Sequence, residues 1–236
     1  NLRKIYGAEA SVELYWDPSI EFDRISANGL VAVRGRIEGE TVSVVLTDFR
    51  VSGGSFGKEN STRLHHFIRE IDAHEGSLVF LLNTLGARFT EGRSLFAPAF
   101  SVLPDLLQYR KNHLYVAAAL GKCLGLGALF LGQAHYRIAL GEGSIVNLTG
   151  SEVISIFFGK EAEDFSRFAS AGHQIGTNTL IHEILPDSDR VCARARELAV
   201  YPRATPDRGA VSLLSSEEGR PKFMKSERAL VEVLDS

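Results

Sequence analysis

Short apolar runs along the chain predict the strands of a β-sheet. Residues 29–36 and 41–49 are rich in valine, and 38–40 (Glu-Gly-Glu) between them is typical of a turn, which predicts a β-hairpin. Residues 77–82 (Ser-Leu-Val-Phe-Leu-Leu) and 114–120 are almost continuously apolar. Strands of a parallel sheet that is covered on both faces have this pattern. We therefore expect a hairpin beside a buried set of parallel strands.

Between these runs, apolar residues recur at the spacing of an α-helix. The clearest set, which follows the glycine-rich segment 53–57, consists of Leu64, Phe67, Ile68 and Ile71. Further helices are expected at 94–111, at 128–133 and after Ser151, and another strand at 136–140. Strand, glycine turn and helix alternate at intervals that indicate a βαβ architecture.

The composition is that of an ordinary globular protein. The 236 residues suit one large domain or two small ones, and 44% are hydrophobic and 23% charged. A net charge of −3 without a basic stripe argues against nucleic acid as a partner. Two cysteines, Cys123 and Cys192, cannot build a disulfide framework, so a reducing cytoplasm is expected. The longest apolar stretch, 124–131, is too short to span a bilayer, so no membrane partner is expected.

Two loops carry the candidate chemistry. Residues 84–88 (Thr-Leu-Gly-Ala-Arg) follow one predicted strand, and the glycine-rich turn 121–127 follows the next and enters a helix. Glycine permits tight turns and close approach of a ligand, and the start of a helix leaves free N–H groups. Side by side, such loops can direct two N–H groups at one oxygen, which is an oxyanion hole. Glycines after strands also serve tight packing alone, and the spacing does not decide between these interpretations.

Four segments, in order along the chain, resemble motifs of the carboxyltransferase (beta) subunit of biotin-dependent acyl-CoA carboxylases. Residues 48–57 (Asp-Phe-Arg-Val-Ser-Gly-Gly-Ser-Phe-Gly) are similar to Asp-Phe-Thr-Val-Phe-Gly-Gly-Ser-Leu-Gly. Residues 86–92 match the end of Ser-Gly-Gly-Ala-Arg-x-x-Glu-Gly, and 121–125 resemble Gly-Pro-Cys-Ala-Gly-Gly. Residues 148–153 (Leu-Thr-Gly-Ser-Glu-Val) resemble Ile-Thr-Gly-Pro-Glu-Val. The resemblance extends over roughly 29–203.

The resemblance implies an α/β fold of the crotonase-like (ClpP/crotonase) type, a ββα superhelix in a single domain. It divides the chain into a lead-in at 1–28, a crotonase-like acyl-CoA-binding domain at 29–206, and a linker with the start of an absent second half at 207–236. In the family the second half, from a partner protomer, binds carboxybiotin. Partners expected on this basis are acyl-CoA, a biotin carboxylase or biotin carrier subunit or a related carboxyltransferase chain, within an oligomer.

The family chemistry, as the resemblance implies, needs no strong side-chain base, because biotin itself removes the α-proton. The protein holds the thioester and stabilises an enolate oxygen with backbone N–H groups. The catalytic candidates are Gly86, Ala87, Gly125 and Leu126. The candidates for binding CoA are Arg88, Lys122 and Gly54, the first two because Arg and Lys side chains commonly meet phosphates. No metal and no covalently bound cofactor is expected.

Three positions depart from the family pattern. Leu85 and Leu126 stand where the family has glycine, and Lys122 where it has proline. If both leucines point into the crevice they narrow the acyl pocket, and if they point into the core the amides stay available. Two further functions remain open: decarboxylation of a malonyl thioester through the same enolate on the same fold, and a non-catalytic scaffold subunit, which the two leucines favour.

Other ionisable residues are weaker candidates. His173 lies near a family loop that borders the acyl pocket, and Asp48 and Glu91 are possible site carboxylates. No spacing brings two carboxylates together, so Asp48 and Glu91 are not assigned a role. His173 is not assigned one either.

Overall fold

A computed structural model describes residues 12–13, 28–158 and 162–200 of the chain. In this part, eight strands form one mixed sheet in the order β1-β2-β3-β4-β5-β6-β8, with β7 paired to β5 beyond the end of β6. The strands are β1 (Val12–Glu13), β2 (Leu30–Ile37), β3 (Glu40–Thr47), β4 (Ser77–Thr84), β5 (Tyr115–Leu124), β6 (Tyr136–Leu140), β7 (Ile145–Asn147) and β8 (Glu183–Leu185).

Seven α-helices lie among the described residues. They are α1 (Lys58–Asp72), α2 (Phe96–Asn112), α3 (Leu126–Gly132), α4 (Ser151–Phe158), α5 (Ala162–Ala169), α6 (Ala171–Thr177) and α7 (Ser188–Ala199). Two 3₁₀ segments, Ser52–Gly54 and Phe89–Leu95, precede α1 and α2. No helix of the described ranges is long and apolar enough to cross a membrane.

The predicted hairpin and the parallel centre of the sheet are confirmed. Strands β2 and β3 are antiparallel, with Leu30 opposite Thr47 and Ile37 opposite Glu40. From β3 onwards every pairing is parallel. The carboxyl ends of β3, β4, β5 and β6 therefore lie at one edge of the sheet, which is where ligands bind in open α/β sheets.

Alternate residues of β4 face two apolar layers. Leu78, Phe80 and Leu82 belong to the buried cluster that includes residues of α1, α2 and α3. Val79 and Leu81 belong to the cluster on the other face, against α7. Burial on both faces explains the continuous apolar run in the sequence, and each such side chain contributes about 1.5–3 kcal/mol when fully buried.

One sequence-based boundary is wrong. The glycine-rich turn expected at 121–127 is mostly strand, because Lys122, Cys123 and Leu124 pair with β7 and prolong β5. Only Gly125 turns the chain, and α3 begins at Leu126. The lead-in expected at 1–28 contains the short strand β1, which pairs with Arg34 and Gly35, and its other residues up to 27 lie outside the described ranges. Residues 207–236 lie outside the described ranges as well. The linker and the start of a second half that are expected there therefore stay predictions.

Candidate active site at the ends of β4 and β5

The two candidate loops meet backbone to backbone. Thr84 and Cys123 are paired on the neighbouring parallel strands from which the loops leave. A Cβ atom placed on Gly86 would lie 3.2 Å from the Cα of Gly125 and 2.8 Å from the carbonyl oxygen of Leu124. Both glycines have positive φ, 91° for Gly86 and 56° for Gly125. A side chain at either position would be strained by the positive φ. At Gly86 it would also clash with the second loop, so glycine at 86 is required for the loops to come this close. The two candidate loops are therefore adjacent in space, as an oxyanion hole built from both of them requires.

The amide of Ala87 is directed away from Phe56 and lies close to the second loop. The carbonyl of Gly86 accepts a hydrogen bond from the Phe56 N–H at 2.8 Å. In a trans peptide the C=O and N–H point in opposite directions, so the next amide, that of Ala87, faces the other way. Its nitrogen lies 4.0 Å from the position of a Cβ on Gly125. Within the described ranges this N–H has no acceptor.

The amide of Leu126 is fixed in the same way. The carbonyl of Gly125 accepts from the Leu129 N–H at 3.2 Å, the first hydrogen bond of α3. The Leu126 N–H therefore points out of the helix, and it has no acceptor in the part of the chain that the structure describes. Two open amides on touching loops can bind one oxygen, provided that each comes within ~3 Å of it.

The amides that precede these two are already engaged. The Gly86 N–H donates to the hydroxyl of Thr84 at 2.9 Å, and the Gly125 N–H donates to the Asn147 carbonyl at 3.0 Å. Of the four catalytic candidates, Ala87 and Leu126 therefore present open donors, whereas Gly86 and Gly125 hold the loops. Sequence reasoning missed Thr84, although a polar residue that closes an apolar run is a visible signal.

The two leucines that replace family glycines behave differently. The Leu126 side chain is 3% exposed and belongs to the same buried cluster as Phe56 and Phe130. Leu85 is 46% exposed, and its side chain lies over Gly53, where an added Cβ would come within 2.6 Å of the Leu85 Cδ1. The Leu126 side chain therefore lies in the core, and only Leu85 lies at the surface.

Arg88 is held by contacts within the chain. Its guanidinium donates to the Ser55 hydroxyl at 3.0 Å, to the Ser55 carbonyl at 3.0 Å and to the Asn28 carbonyl at 3.3 Å. It also pairs with Glu91 at 3.3 Å, while Glu91 accepts from the Lys58 N–H, the first amide of α1, at 2.6 Å. A role of Arg88 at a CoA phosphate stays a prediction, and it would compete with these bonds.

The other two CoA-binding candidates lie on either side of Asn83. The Lys122 side chain is exposed, and the Lys122 N–H donates to the Asn83 side-chain oxygen at 3.1 Å. Gly54 is buried with φ 62°, and a Cβ there would lie 2.2 Å from the Asn83 carbonyl oxygen. Glycine at 54 therefore allows the 3₁₀ turn to pack on the end of β4. The binding roles of both residues stay predictions.

The remaining ionisable candidates are held in local contacts or exposed. The Arg50 guanidinium donates to both oxygens of Asp48 and lowers the pKa of that carboxyl. His173 is exposed on α6. Cys123 is buried beside the loops, and its burial raises the pKa of the thiol, which keeps it protonated. No group of three or more His, Cys, Asp or Glu among the described residues is placed to hold a metal ion.

Comparison with known proteins identifies a family and a relative of this chain. The family model of the carboxyl transferase domain matches residues 17–216. The carboxyltransferase subunit of propionyl-CoA carboxylase from Haloferax mediterranei is 21% identical over 182 residues, which are 77% of this chain and 35% of the relative. The chain therefore spans about a third of the length of this curated relative.

Two kinds of solved structure share the fold. The transcarboxylase 12S hexamer core is 20% identical with a TM-score of 0.71, over 84% of this chain and 39% of that one. A subunit of the Pseudomonas malonate decarboxylase heterotetramer is 17% identical, also with a TM-score of 0.71, over 93% of this chain and 90% of that one. The expected crotonase-like carboxyltransferase fold is confirmed. Because the family model matches most of the chain, the protein belongs to the carboxyl transferase domain family.

Proposed function

We propose that the protein is the acyl-CoA-binding part of a carboxyltransferase, and that the amides of Ala87 and Leu126 stabilise the enolate of a CoA thioester. One observation carries this proposal: neither amide has an acceptor among the described residues, and the carbonyl of each of the two peptides is held by a hydrogen bond. Donors that are fixed before the reaction need no reorganisation when charge develops, and removal of one such donor typically costs ~10²–10³ in rate.

The reaction places negative charge on one oxygen. When the α-carbon of an acyl-CoA loses its proton, the electron pair moves into the bond to the carbonyl carbon and onto the thioester oxygen. That oxygen binds between Ala87 and Leu126. Carboxybiotin on a partner subunit would supply the carboxyl group to the α-carbon, and the nitrogen freed by that transfer would accept the α-proton, so that no side-chain base is required of this chain. The chain's own contribution is to bind the thioester and to stabilise this charge.

The relatives support a CoA thioester as the substrate. The matched Haloferax protein is a subunit of a propionyl-CoA carboxylase, and the transcarboxylase 12S core has been solved with methylmalonyl-coenzyme A bound. Both are parts of larger assemblies, as is the malonate decarboxylase subunit. The protein is accordingly proposed to work in an oligomer, together with a biotin-bearing subunit or a related carboxyltransferase chain.

Decarboxylation of a malonyl thioester is the second candidate. It is favoured by the match to the malonate decarboxylase subunit, which covers nearly all of both chains. Here the bond between the α-carbon and the carboxylate breaks, its electron pair forms the same enolate, CO₂ leaves, and water supplies the proton. The scaffold alternative is weaker, because the Leu126 side chain lies in the core and leaves the Leu126 amide open.

A single assay distinguishes these functions. The native protein, with the subunits that co-purify with it, is incubated with malonyl-CoA or methylmalonyl-CoA either with added biotin or with avidin, which blocks any biotin carried by a co-purifying subunit. Carboxyl transfer, run in reverse, predicts biotin-dependent formation of acetyl-CoA or propionyl-CoA. Decarboxylation predicts the same products and CO₂ without biotin. An intact assembly that consumes neither thioester, and binds neither in calorimetry, would instead favour the scaffold.

A further inference from the structure

We infer that Thr84 is a positioning residue that aligns the amides of Ala87 and Leu126, an inference that rests on the proposed function. Thr84 is the last residue of β4 and its side chain is completely buried, with 0% exposure. It is paired with Cys123 next to an irregularity in the register between β4 and β5. It therefore lies beneath the point where the two loops separate from the sheet.

The hydroxyl of Thr84 controls the first loop. Its Oγ1 accepts the buried Gly86 N–H at 2.9 Å. This bond holds Gly86 at φ 91°, from where its carbonyl reaches the Phe56 N–H and turns the Ala87 amide outwards. Without the hydroxyl, the Gly86 N–H would be buried and unpaired, and the peptide would rotate to find an acceptor. Rotation of that peptide would displace the Ala87 donor.

The methyl group of Thr84 contacts the second loop. A Cβ atom placed on Gly127 would lie 2.3 Å from the Thr84 Cγ2 and 3.4 Å from the Cys123 sulfur. The first turn of α3 therefore rests on Thr84, one residue beyond the Leu126 amide. A single buried side chain thus touches both loops and sets their separation.

Thr47 provides a matched control. It ends the neighbouring strand β3, is 3% exposed, and its hydroxyl accepts the Asn83 N–H at 2.8 Å. It resembles Thr84 in residue type, burial and the kind of hydrogen bond it makes. Its hydrogen bonds go to the backbone of Leu81 and Asn83, within β4, and not to the two loops.

The experiment compares Thr84→Val, Thr84→Ser and Thr47→Val in the assay of the native assembly. Valine preserves the shape of threonine without the oxygen, and serine preserves the oxygen. A displaced donor acts mainly on the transition state, so Thr84→Val should lower kcat by about 10- to 100-fold with little change in KM. Thr84→Ser should restore most of kcat. Thr47→Val should lower the melting temperature by a similar amount to Thr84→Val and leave kcat within about 2-fold.

Three outcomes would overturn the inference. Wild-type kcat in Thr84→Val would show that the bond to Gly86 does not matter for turnover. An equal loss of kcat in Thr47→Val would reduce the effect to general destabilisation. A failure of Thr84→Ser to recover activity would show that the hydroxyl is not sufficient to align the two amides. A wild-type protein that turns over neither thioester would instead reject the proposed function, and this inference with it, so the two failures are distinguishable.

Discussion

Gly86 and Gly125 touch without side chains, since a Cβ on Gly86 would lie only 3.2 Å from the Cα of Gly125. They come from the ends of adjacent parallel strands. They bring the Gly86–Ala87 and Gly125–Leu126 peptides, which differ in orientation, close to each other. Neither glycine offers an open amide, because their N–H groups are bound to Thr84 and Asn147. Their function is geometric: they make room for the amides that follow them in the sequence.

Alanine at position 86 should therefore be poorly tolerated. Gly86→Ala puts a side chain at φ 91° and 2.8 Å from the Leu124 carbonyl oxygen, which we expect to cost about 2–4 kcal/mol of unfolding free energy. Denaturant unfolding measures this cost. Gly143→Ala is the control, because Gly143 is exposed and a Cβ there meets no atom within 4 Å. Equal stability of the two variants would contradict the close contact.

Alanine substitutions at the two leucines should separate packing from substrate access. Leu126→Ala removes a core side chain and should cost about 2–5 kcal/mol. Leu85→Ala removes a half-exposed side chain and should change stability by less than about 1 kcal/mol. Calorimetry with acyl-CoAs of increasing length then tests whether Leu85 limits the acyl group. We expect that only Leu85→Ala binds acyl-CoAs with longer acyl chains more tightly than the wild type does. A larger gain in acyl-CoA affinity in Leu126→Ala would contradict the core position of Leu126.

Substitution of Arg88 distinguishes a structural role of this side chain from a role in binding a CoA phosphate. Arg88→Met removes the guanidinium hydrogen bonds to the Ser55 hydroxyl and to the Asn28 and Ser55 carbonyls. Because the Asn60 side-chain amide still donates to both carbonyls, the loss should cost about 1–2 kcal/mol of unfolding free energy. Arg50→Met, at a highly exposed arginine whose ion pair within the described ranges is with Asp48, should leave stability almost unchanged. Thermal melting compares the two. If Arg88 mainly contacts a CoA phosphate, the substitution would instead raise KM for acyl-CoA, spare that for acyl-pantetheine, and leave the melting temperature unchanged.

Much of the fold could be predicted from local pattern. The run at β4 and the helical spacing of Leu64, Phe67, Ile68 and Ile71 in α1 are signals within a few residues, and both elements are present. Strand β7 has only three residues, too few for a period, and it extends β5 only by pairing with Lys122, Cys123 and Leu124. A pairing partner distant in the chain cannot be found from the local sequence, which is why the glycines around residues 121–124 predict a turn there and not a strand.

The same limit applies to the site. The glycines of both loops are visible in the sequence, and so is their order after strands. The open amides are not, because the groups that occupy their neighbours come from elsewhere: the Phe56 N–H binds the Gly86 carbonyl, and the Asn147 carbonyl binds the Gly125 N–H. Sequence reasoning could therefore identify the two loops, but it could not decide which of the four candidate residues present an open N–H group.

Proline at position 87 tests that choice most directly. The Ala87 N–H has no acceptor among the described residues, so Ala87→Pro removes no internal hydrogen bond. It does remove the donor and places a ring carbon where the thioester oxygen would bind, so kcat should fall by about 10²–10³-fold. Ala87→Ser retains the amide and should keep most of the activity. In the Ala87→Pro background, Thr84→Val should have much less effect than in the wild type, because the donor that it displaces is already absent. Steady-state kinetics of the wild type, the two single variants and the double variant measures this coupling, and fully multiplicative losses would show that Thr84 does not act through Ala87.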